Sequence, residues 1–352
     1  MGLNIGLAGA GLLGRLTALA LTRAGHEVSL FDISASLQPK PTEHRAAAWT
    51  SAGMLSPIAE METGGEEVRR LGDRSLQLWQ DIDRYLRSHT KNPLDLDAGL
   101  GLQLEDSLMV CHGSDLGSAQ RVLRLLDGDE SRVIKLNSGQ AAALAPGLKT
   151  GLHCWRLTGE GHLYPARAMQ SLGAAIPQTS WHLGQKVNGL MPHRLLLDGS
   201  EKSFDWVIDV RGIGAAGEAP VRGVRGEVIV LAAPGFKLQR AVRLLHPRWR
   251  VYIVPRPDEQ LVIGATEIES EDRSPISVQS TMELLSAAFS IFPSLAEARI
   301  LATDVNLRPA TPDNLPWISI EEGLIRINGM FRHGWLLAPA VIEKALGDAN
   351  LC

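Results

Sequence analysis

The sequence contains few of the residues that mark a disulfide-stapled or metal-binding protein. Only three of its 352 residues are cysteines, Cys111, Cys154 and Cys352, and they form no Cys-x-x-Cys pair. This scarcity argues against a disulfide framework and a zinc site, and it suits a reducing cytoplasm. The ten histidines show neither His-x-x-x-His nor His-Glu-x-x-His spacing, so no metal site is expected.

An excess of charge of one sign is also missing. The chain has 35 Lys and Arg against 39 Asp and Glu, with a pI near 6.2. Nucleic acids and anionic membrane surfaces attract basic proteins, so neither partner is expected. Hydrophobic residues at 45% and charged residues at 21% are ordinary for a soluble globular protein, and a chain of 352 residues usually divides into two domains.

No uninterrupted apolar run is long enough for a membrane span. The most apolar stretch, residues 3–21, is broken by Asn4, Arg15 and Thr17 and contains four glycines. A secretory signal would carry Lys or Arg before such a stretch, and none precedes it here. The stretch is therefore predicted to be a buried strand followed by a helix, in a soluble cytoplasmic protein.

Hydrophobic periodicity predicts an α/β protein that begins with a strand, a helix and a strand, at 3–8, 12–24 and 26–32. Later helices are predicted at 66–90, 118–126, 136–144, 166–175, 278–292 and 339–346, and a further helix could start at 46–54. Strands are predicted at 101–111, 226–231, 250–255, 260–265 and 324–330. A glycine-rich turn is predicted at 155–165, and a hairpin is predicted to pair 194–200 with 204–210 around Asp198-Gly199. This order fits a Rossmann-type α/β domain interleaved with a second, mixed domain of largely antiparallel strands.

A Gly-x-Gly-x-x-Gly fingerprint stands between the first strand and the first helix. It consists of Gly9, Ala10, Gly11, Leu12, Leu13 and Gly14. The first glycine permits a tight turn, the second lets the backbone approach a pyrophosphate, and the third lets the helix pack against the strand. Asp32 ends the second strand, where an acid accepts hydrogen bonds from an adenosine ribose. The pattern predicts dinucleotide binding rather than a glycine turn in an unrelated α/β protein, although FAD and NAD present the same ADP half.

Several later segments resemble one family of flavoenzymes. Residues 50–57, TSAGMLSP, with Glu60 after them, resemble the A-A-G-M-L-x-P segment that passes beside the flavin ring in glycine oxidases. Residues 328–339, NGMFRHGWLLAP, resemble the G-H-x-R-N-G-I-L-L-A-P segment that enters a helix facing the flavin. Shorter segments at 223–227, 251–266 and 307–313 resemble the motifs P-V-R-G-Q, Y-I-V-P-R…L-V-V-G-A-T and L-R-P-x-T-x-D. Their joint order resembles the D-amino-acid oxidase family of FAD-dependent oxidoreductases, in its glycine oxidase (ThiO-like) branch.

No Cys or His lies in a recognisable flavinylation setting, which favours non-covalent FAD, and the resemblance implies a discontinuous domain arrangement. The FAD-binding domain would comprise 1–65, 150–220 and 300–352, and the substrate domain 66–149 and 221–299. Besides the fingerprint and Asp32, the implied FAD contacts are Ala47, Ala48, Ala52, Gly53, Met54, Val187, Gly212, Gly329, Met330, Phe331, Arg332, His333, Gly334, Trp335 and Leu336. On composition alone, Met54 is more often a core residue than a flavin contact, and only the neighbouring Ala52 and Gly53 make the two interpretations equal.

The resemblance also implies a reaction. Family members transfer a hydride from the α-carbon of a neutral amine to flavin N5, release the imine, and use oxygen to reoxidise the flavin. Such a transfer depends mainly on orientation and needs no acid–base pair. Arg308 would clamp the substrate carboxylate, Tyr252 would donate to the same group, and Arg332 would lie near both substrate and flavin. The alternatives are a solvated Arg308, a core Tyr252 and a helix-capping Arg332.

The sequence departs from the family pattern at three places. The usual A-T-G after a flavin-domain strand is Val210-Arg211-Gly212 here. Arg250 stands where a His is common, and Glu267 stands where glycine oxidases can carry Met. If both side chains face the pocket, they could pair with each other or bind a substrate more polar than glycine.

Three functions therefore remain open. The first is oxidation of glycine or a small amino acid or amine by oxygen, in the service of thiamine biosynthesis. The second is a flavin dehydrogenase that passes electrons to a quinone or a protein. The third is a flavoprotein that modifies or binds a partner protein. A small-molecule substrate and an electron acceptor are the expected partners, and a homo-oligomer is left open.

Overall fold

The computed structural model describes residues 2–89, 99–126, 131–247 and 250–352. Its helices are α1 (Leu12–Arg23), α2 (Pro57–Ser88), α3 (Leu116–Leu125), α4 (Ser138–Leu144), α5 (Pro165–Ala174), α6 (Val278–Ile291) and α7 (Gly334–Asp348). Its strands are β1 (Asn4–Ala8), β2 (Glu27–Asp32), β3 (Met54–Leu55), β4 (Ser107–Cys111), β5 (Val133–Leu136), β6 (His153–Leu157), β7 (Gly161–His162), β8 (Ser180–Leu183), β9 (Val187–Met191), β10 (Arg194–Leu197), β11 (Ser200–Ser203), β12 (Trp206–Asp209), β13 (Arg222–Ala232), β14 (Val242–Leu245), β15 (Arg250–Arg256), β16 (Gln260–Gly264), β17 (Arg299–Ala310), β18 (Trp317–Glu321) and β19 (Leu324–Asn328).

A six-stranded sheet contains the start of the chain. Its order is β18-β19-β12-β1-β2-β8, and every pairing except β18 with β19 is parallel. Parallel strands are covered on both faces, which explains why β1 is an almost continuous apolar run. The predicted strand–helix–strand start is confirmed, with bounds that differ by one residue.

An eight-stranded, largely antiparallel sheet forms the other half of the molecule. Its order is β17-β13-β16-β15-β14-β4-β6-β5, and β14 with β4 is the parallel pair. The long strands β13 and β17 pair from Arg222 opposite Ala310 to Ala232 opposite Arg299. Helix α6 packs Leu284 and Ile291 into the core of this sheet. The predicted α/β class with a mixed second domain is confirmed.

Helices α2 and α7 pack together in the core of the six-stranded sheet. Pro339 lies within α7 and has no N–H to donate to the carbonyl four residues earlier, which belongs to Trp335. The indole N–H of Trp79 on α2 donates to that carbonyl at 2.7 Å. The hydrogen bond lost to proline is thus replaced by one that ties the two helices together.

Arg15, which interrupts the apolar N-terminal stretch, is a buried structural residue. Its guanidinium donates to the carbonyls of Ala10 at 2.9 Å, Met169 at 2.6 Å and Leu37 at 2.7 Å. Burial lowers its pKa to about 10, so it stays charged at neutral pH. Arg15 therefore holds α5 and the loop after β2 against α1.

Several local predictions were wrong. The Asp198-Gly199 turn does make a hairpin, but it joins β10 to β11, and β12 enters the parallel sheet beside β1. Segment 46–54 forms a single turn of 3-10 helix and then the start of β3, because β3 pairs with β7. The 155–165 region, predicted as a turn, contains the end of β6 and β7 for the same reason.

Other element boundaries moved. The helix predicted at 66–90 begins at Pro57 and passes a non-helical Gly65, and Thr90 lies outside the described residues. The last helix begins at Gly334 rather than Pro339. Within 101–111 only β4 is a strand, and 136–144 is helical only from Ser138.

The domain boundaries stay a prediction. Helix α2 packs Val68, Trp79 and Leu86 into the core of the six-stranded sheet, whereas β6 and β17 belong to the eight-stranded sheet. The chain crosses between the two halves several times, and the cavity described below is lined from both. No helix among the described residues is both long and apolar enough to pass through a membrane.

Candidate active site

One cavity of about 310 Å³ joins the glycine fingerprint to the eight-stranded sheet. Its walls come from the turn after β1, the end of β2, the segment before α2, the strands β13, β15 and β17, and the start of α7. These segments are far apart in the sequence, and the two sheets bring them together. The cavity therefore lies where the two halves of the molecule meet.

The fingerprint end has the features that a dinucleotide requires. Gly9 has φ of 111°, and a side chain at Gly14 would overlap the carbonyl oxygen of Gly9, so α1 packs directly on the turn. No side chain caps α1 at Gly11, which leaves the first-turn amides to a phosphate. The amide of Ala10 donates to Asp32 at 2.6 Å and fixes that carboxylate at the end of β2.

Most of the predicted cofactor residues line this cavity. They are Gly9, Gly11, Leu12, Leu13, Asp32, Ala47, Ala48, Ala52, Gly53, Met54, Val187, Gly212, Met330, Phe331, Arg332, His333, Gly334, Trp335 and Leu336. Gly14 and Gly329 do not line it: Gly14 packs on the turn after β1, and a side chain at Gly329 would meet Thr311. Individual contacts with the cofactor stay predictions.

The middle of the cavity is bounded by residues 47–54 and the start of α7. Arg256 donates to the carbonyl of Ala52 at 2.6 Å, and the indole of Trp335 donates to Ser51 at 2.7 Å. No side chain caps α7, and residues 330–336 line the cavity. The positive end of α7 therefore faces the space where negative charge on a reduced flavin would be stabilised. The residues present fit a flavin dinucleotide.

Arg308 and Tyr252 stand at the opposite end of the cavity. Arg308 is on β17, and within the described ranges its guanidinium donates only to the carbonyl of Arg225, at 3.3 Å, and has no carboxylate partner. The hydroxyl of Tyr252, on β15, has no hydrogen-bond partner in the same part of the chain. Burial raises the pKa of Tyr252 despite the nearby Arg308, so the phenol stays a donor at neutral pH. Both residues are partly buried, so Arg308 is not a solvated surface residue and Tyr252 is not a fully buried core residue.

A buried ion network adjoins this pair and centres on Glu60. Its carboxylate binds Arg243, lies 3.0 Å from Nε of Arg332, and lies 3.1 Å from Nδ1 of His333. Burial alone would raise the pKa of Glu60, but Arg243, Arg332 and His333 hold it well below its ordinary value. Glu60 is therefore ionised at neutral pH and neutralises part of the positive charge around it.

Arg250 and Glu267 do not both face the cavity, so the condition under which they could pair with each other is not met. Arg250 forms an ion pair with Glu62 at 2.8 Å and does not line the cavity. Glu267 does line it, and its Oε2 lies 3.1 Å from Nη1 of Arg332. Arg211, which replaces the usual Thr, lines the cavity together with Gly212, and its guanidinium forms ion pairs with Asp209 and Glu218.

Glu60 and Arg243 are two site residues whose roles were not predicted from the sequence. A signal existed, because each is a charged residue within an apolar segment, and charged side chains are rarely buried unless paired. Their pairing with each other across 183 positions could not be read from either segment. Arg45, a further cavity residue, is likewise held by a distant partner, Asp304. Among the described residues, no three His, Cys, Asp or Glu side chains are grouped as a metal site.

A dinucleotide-binding turn thus shares one cavity with an arginine and a tyrosine that have no carboxylate or side-chain partner among the described residues, an arrangement that fits an enzyme with a nucleotide cofactor. Comparison with known proteins identifies the family. The chain belongs to the DAO family of FAD-dependent oxidoreductases, whose model it matches over residues 8–344. The expected flavoenzyme family is confirmed, and FAD rather than NAD is the cofactor.

Individual relatives cover almost the whole chain. A Rhizobium etli protein with the provisional name thiamine biosynthesis oxidoreductase ThiO is 35% identical over 335 residues, which cover 95% of this chain and 92% of that protein. Glycine oxidase of Geobacillus kaustophilus is 25% identical over 363 residues, covering 96% and 90%. A crystal structure of glycine oxidase from that organism has a TM-score of 0.84 at 23% identity, covering 98% of this chain and 94% of that one. Iminodiacetate oxidase from Chelativorans sp. BNC1 shares the fold, with a TM-score of 0.81 at 23% identity and coverage of 98% and 95%.

Proposed function

We propose that this enzyme oxidises the amine of glycine, or of another small amino acid or amine, to the imine, and that the reaction serves thiamine biosynthesis. FAD held between the glycine fingerprint and the start of α7 would supply the chemistry of a hydride acceptor for the substrate α-carbon, with oxygen as the final electron acceptor. The names of the Rhizobium etli relative and of the glycine oxidases support this substrate class and this setting.

The observation that carries the proposal is that, among the residues described, the guanidinium of Arg308 has no carboxylate partner and the nearby hydroxyl of Tyr252 has no hydrogen-bond partner. A guanidinium offers two parallel N–H donors to a carboxylate, and a phenol adds a third donor. Around Arg308 and Tyr252, the three arginines 243, 308 and 332 exceed the two glutamates 60 and 267 by one positive charge. That balance suits a substrate with one carboxylate.

The protein's part in the reaction is to orient the substrate. A carboxylate held by Arg308 and Tyr252 fixes the attached α-carbon, and orientation of this kind can supply most of what such a transfer needs. Met54 and Val228 form part of an apolar cavity wall, which limits the access of water. His333 is buried with Nδ1 turned to Glu60, so it is a network residue rather than a base for the substrate.

The test is a visible spectrum of the purified protein, followed anaerobically as glycine, sarcosine and D-alanine are added in turn. We expect an oxidised flavin spectrum that bleaches with at least one of them and returns with air, with formation of peroxide. Bleaching that is reversed by a quinone but not by air would favour the dehydrogenase. A flavin that stays oxidised with all three would overturn the substrate class, and would direct attention to a partner protein.

Arg308→Ala tests the clamp directly. We expect kcat/KM to fall about 30-fold to 1,000-fold, equivalent to about 2–4 kcal/mol, because a charge-assisted two-point contact is lost. The flavin spectrum should be retained. Arg250→Ala is the matched control, since Arg250 is also an arginine of the eight-stranded sheet but pairs with Glu62 outside the cavity. Wild-type kcat/KM in Arg308→Ala would remove Arg308 from the site.

A non-covalent FAD and a cytoplasmic location are part of the same proposal. Cys111 and Cys154 are buried away from the cavity, and all three cysteines are free thiols. Acid precipitation of the protein should therefore release the whole of the FAD into the supernatant.

A further inference from the structure

Glu267 lines the cavity beside Arg332, an arginine that could bind a substrate carboxylate. It follows β16, its side chain is 46% exposed, and its carboxylate contacts only Arg332 among the ion pairs of the described chain. By contrast, Glu60 is buried and shared among Arg243, Arg332 and His333. Glu267 is thus the member of the network that is held least firmly and lies closest to solvent.

Each of the three nitrogens of the Arg332 guanidinium contacts one of these two acids. Its Nε lies 3.0 Å and its Nη2 3.3 Å from Glu60, and its Nη1 lies 3.1 Å from Glu267. The Glu60 carboxylate is held in place by Arg243, because moving it would break an ion pair with a buried cation. Removal of the Glu267 carboxylate would therefore leave one edge of Arg332 facing the cavity as a second anion site.

We propose that Glu267 is a specificity-determining residue that restricts the enzyme to amines bearing one carboxylate. It covers the Arg332 edge that would otherwise bind a second carboxylate, and its own negative charge repels one. Like charges placed together without a counterion disfavour binding strongly, so a single residue can separate the two substrate classes. The inference rests on the proposed function, since it assigns Arg308 to the first carboxylate.

The experiment compares ligands that differ by one carboxylate. Propionate and malonate have the same number of carbons, and their binding to the holoenzyme is followed by the change in the flavin absorption spectrum. Glycine and iminodiacetate provide the same comparison in turnover. In the wild-type enzyme we expect propionate to bind more tightly than malonate. In Glu267→Gln the ratio of the two Kd values should move toward malonate by about tenfold or more, and the KM ratio of iminodiacetate to glycine should fall in parallel.

Two further variants make the result decisive. Glu267→Met removes the hydrogen-bond acceptor as well as the charge and should give at least as large a change. Glu269→Gln is the matched control, because Glu269 loses the same charge two residues away but pairs with Arg222 outside the cavity. Its ligand preference should equal that of the wild type.

The inference is overturned if wild-type enzyme binds malonate as tightly as propionate, or if both Glu267 variants keep the wild-type preference. An equal change in Glu269→Gln would also overturn it, because the effect would then be one of general charge. Failure of the proposed function looks different: none of the amines would bleach the flavin, while the propionate and malonate titrations would still report the charge preference of the cavity.

Discussion

Glu60 shows how much of this site depends on one buried acid. It is surrounded by Arg243, Arg332 and His333, and its negative charge offsets the cost of burying the two arginines. Its position at the start of α2 places it between the two halves of the molecule. The residue therefore contributes both to the stability of the protein and to the charge of the cavity around Arg308 and Tyr252.

Glu60→Gln should destabilise the holoenzyme in a pH-dependent way. Because the pKa of Glu60 is lowered in the folded state, its stabilising effect is present above its unfolded value near 4.5 and is lost as pH falls through the lower folded value. At pH 7 the variant should lose about 3–5 kcal/mol, the cost of breaking a buried pair. The difference in Tm between wild type and variant, measured from pH 7 down to pH 3, should narrow below about pH 4.5.

The control for that series is Glu322→Gln, which removes a carboxyl group from an exposed turn. It should have almost no effect on Tm at any pH in the series. A Glu60→Gln difference that stays constant from pH 7 to pH 3 would show that the loss is one of packing and not of charge.

At the scale of elements, the paired strands β13 and β17 together form the cavity wall around Arg308. Gly226 on β13 lies beside Arg308 on β17, and a methyl group at Gly226 would overlap the guanidinium. The atoms that it would meet belong to the far end of a flexible side chain, so the chain can adjust without unfolding. The glycine thus gives Arg308 the space in which it faces the cavity.

Gly226→Ala is expected to displace the Arg308 guanidinium and to raise the KM for the amino-acid substrate by about tenfold, since a charge-assisted bond would be misplaced. Tm should stay close to that of the wild type. A double-mutant cycle provides the check: in the Arg308→Ala background the same change should have little further effect on kcat/KM. Additive effects of the two substitutions would mean that Gly226 acts on something other than Arg308.

At the scale of the whole molecule, the cavity joins two sheets with separate cores. A cofactor that binds at this junction interacts with the folded chain and not with the unfolded one. Adding FAD to apoprotein at one hundred times its Kd should therefore stabilise the fold by about 2.7 kcal/mol and raise Tm by about 4 °C in a protein of this length. ADP, which carries only the nucleotide half, is the control and should raise Tm less at the same concentration. An unchanged Tm with FAD would show that the cavity does not hold it.

The features that could be predicted from the sequence alone are those whose residues lie close together along the chain. The apolar run, the glycines and Asp32 lie within about thirty residues of one another, so β1, α1 and β2 and their cofactor chemistry were predictable. The family resemblance placed Arg308, Tyr252 and the start of α7 near the flavin, and these residues do line one cavity.

Pairing across long separations was decided only by the tertiary structure. Strand β12 looked like the second arm of a hairpin because it follows β10 closely, but its partner is β1, about 200 positions earlier. The sequence left open whether Glu267 and Arg250 pair with each other, and the fold gives each a different partner: Arg332 for Glu267 and Glu62 for Arg250. Side-chain charge and local periodicity are properties of a segment, whereas the partner that neutralises a charge depends on how distant segments pack. For that reason the sequence by itself determined the cofactor class, and the fold decided which charges face the substrate.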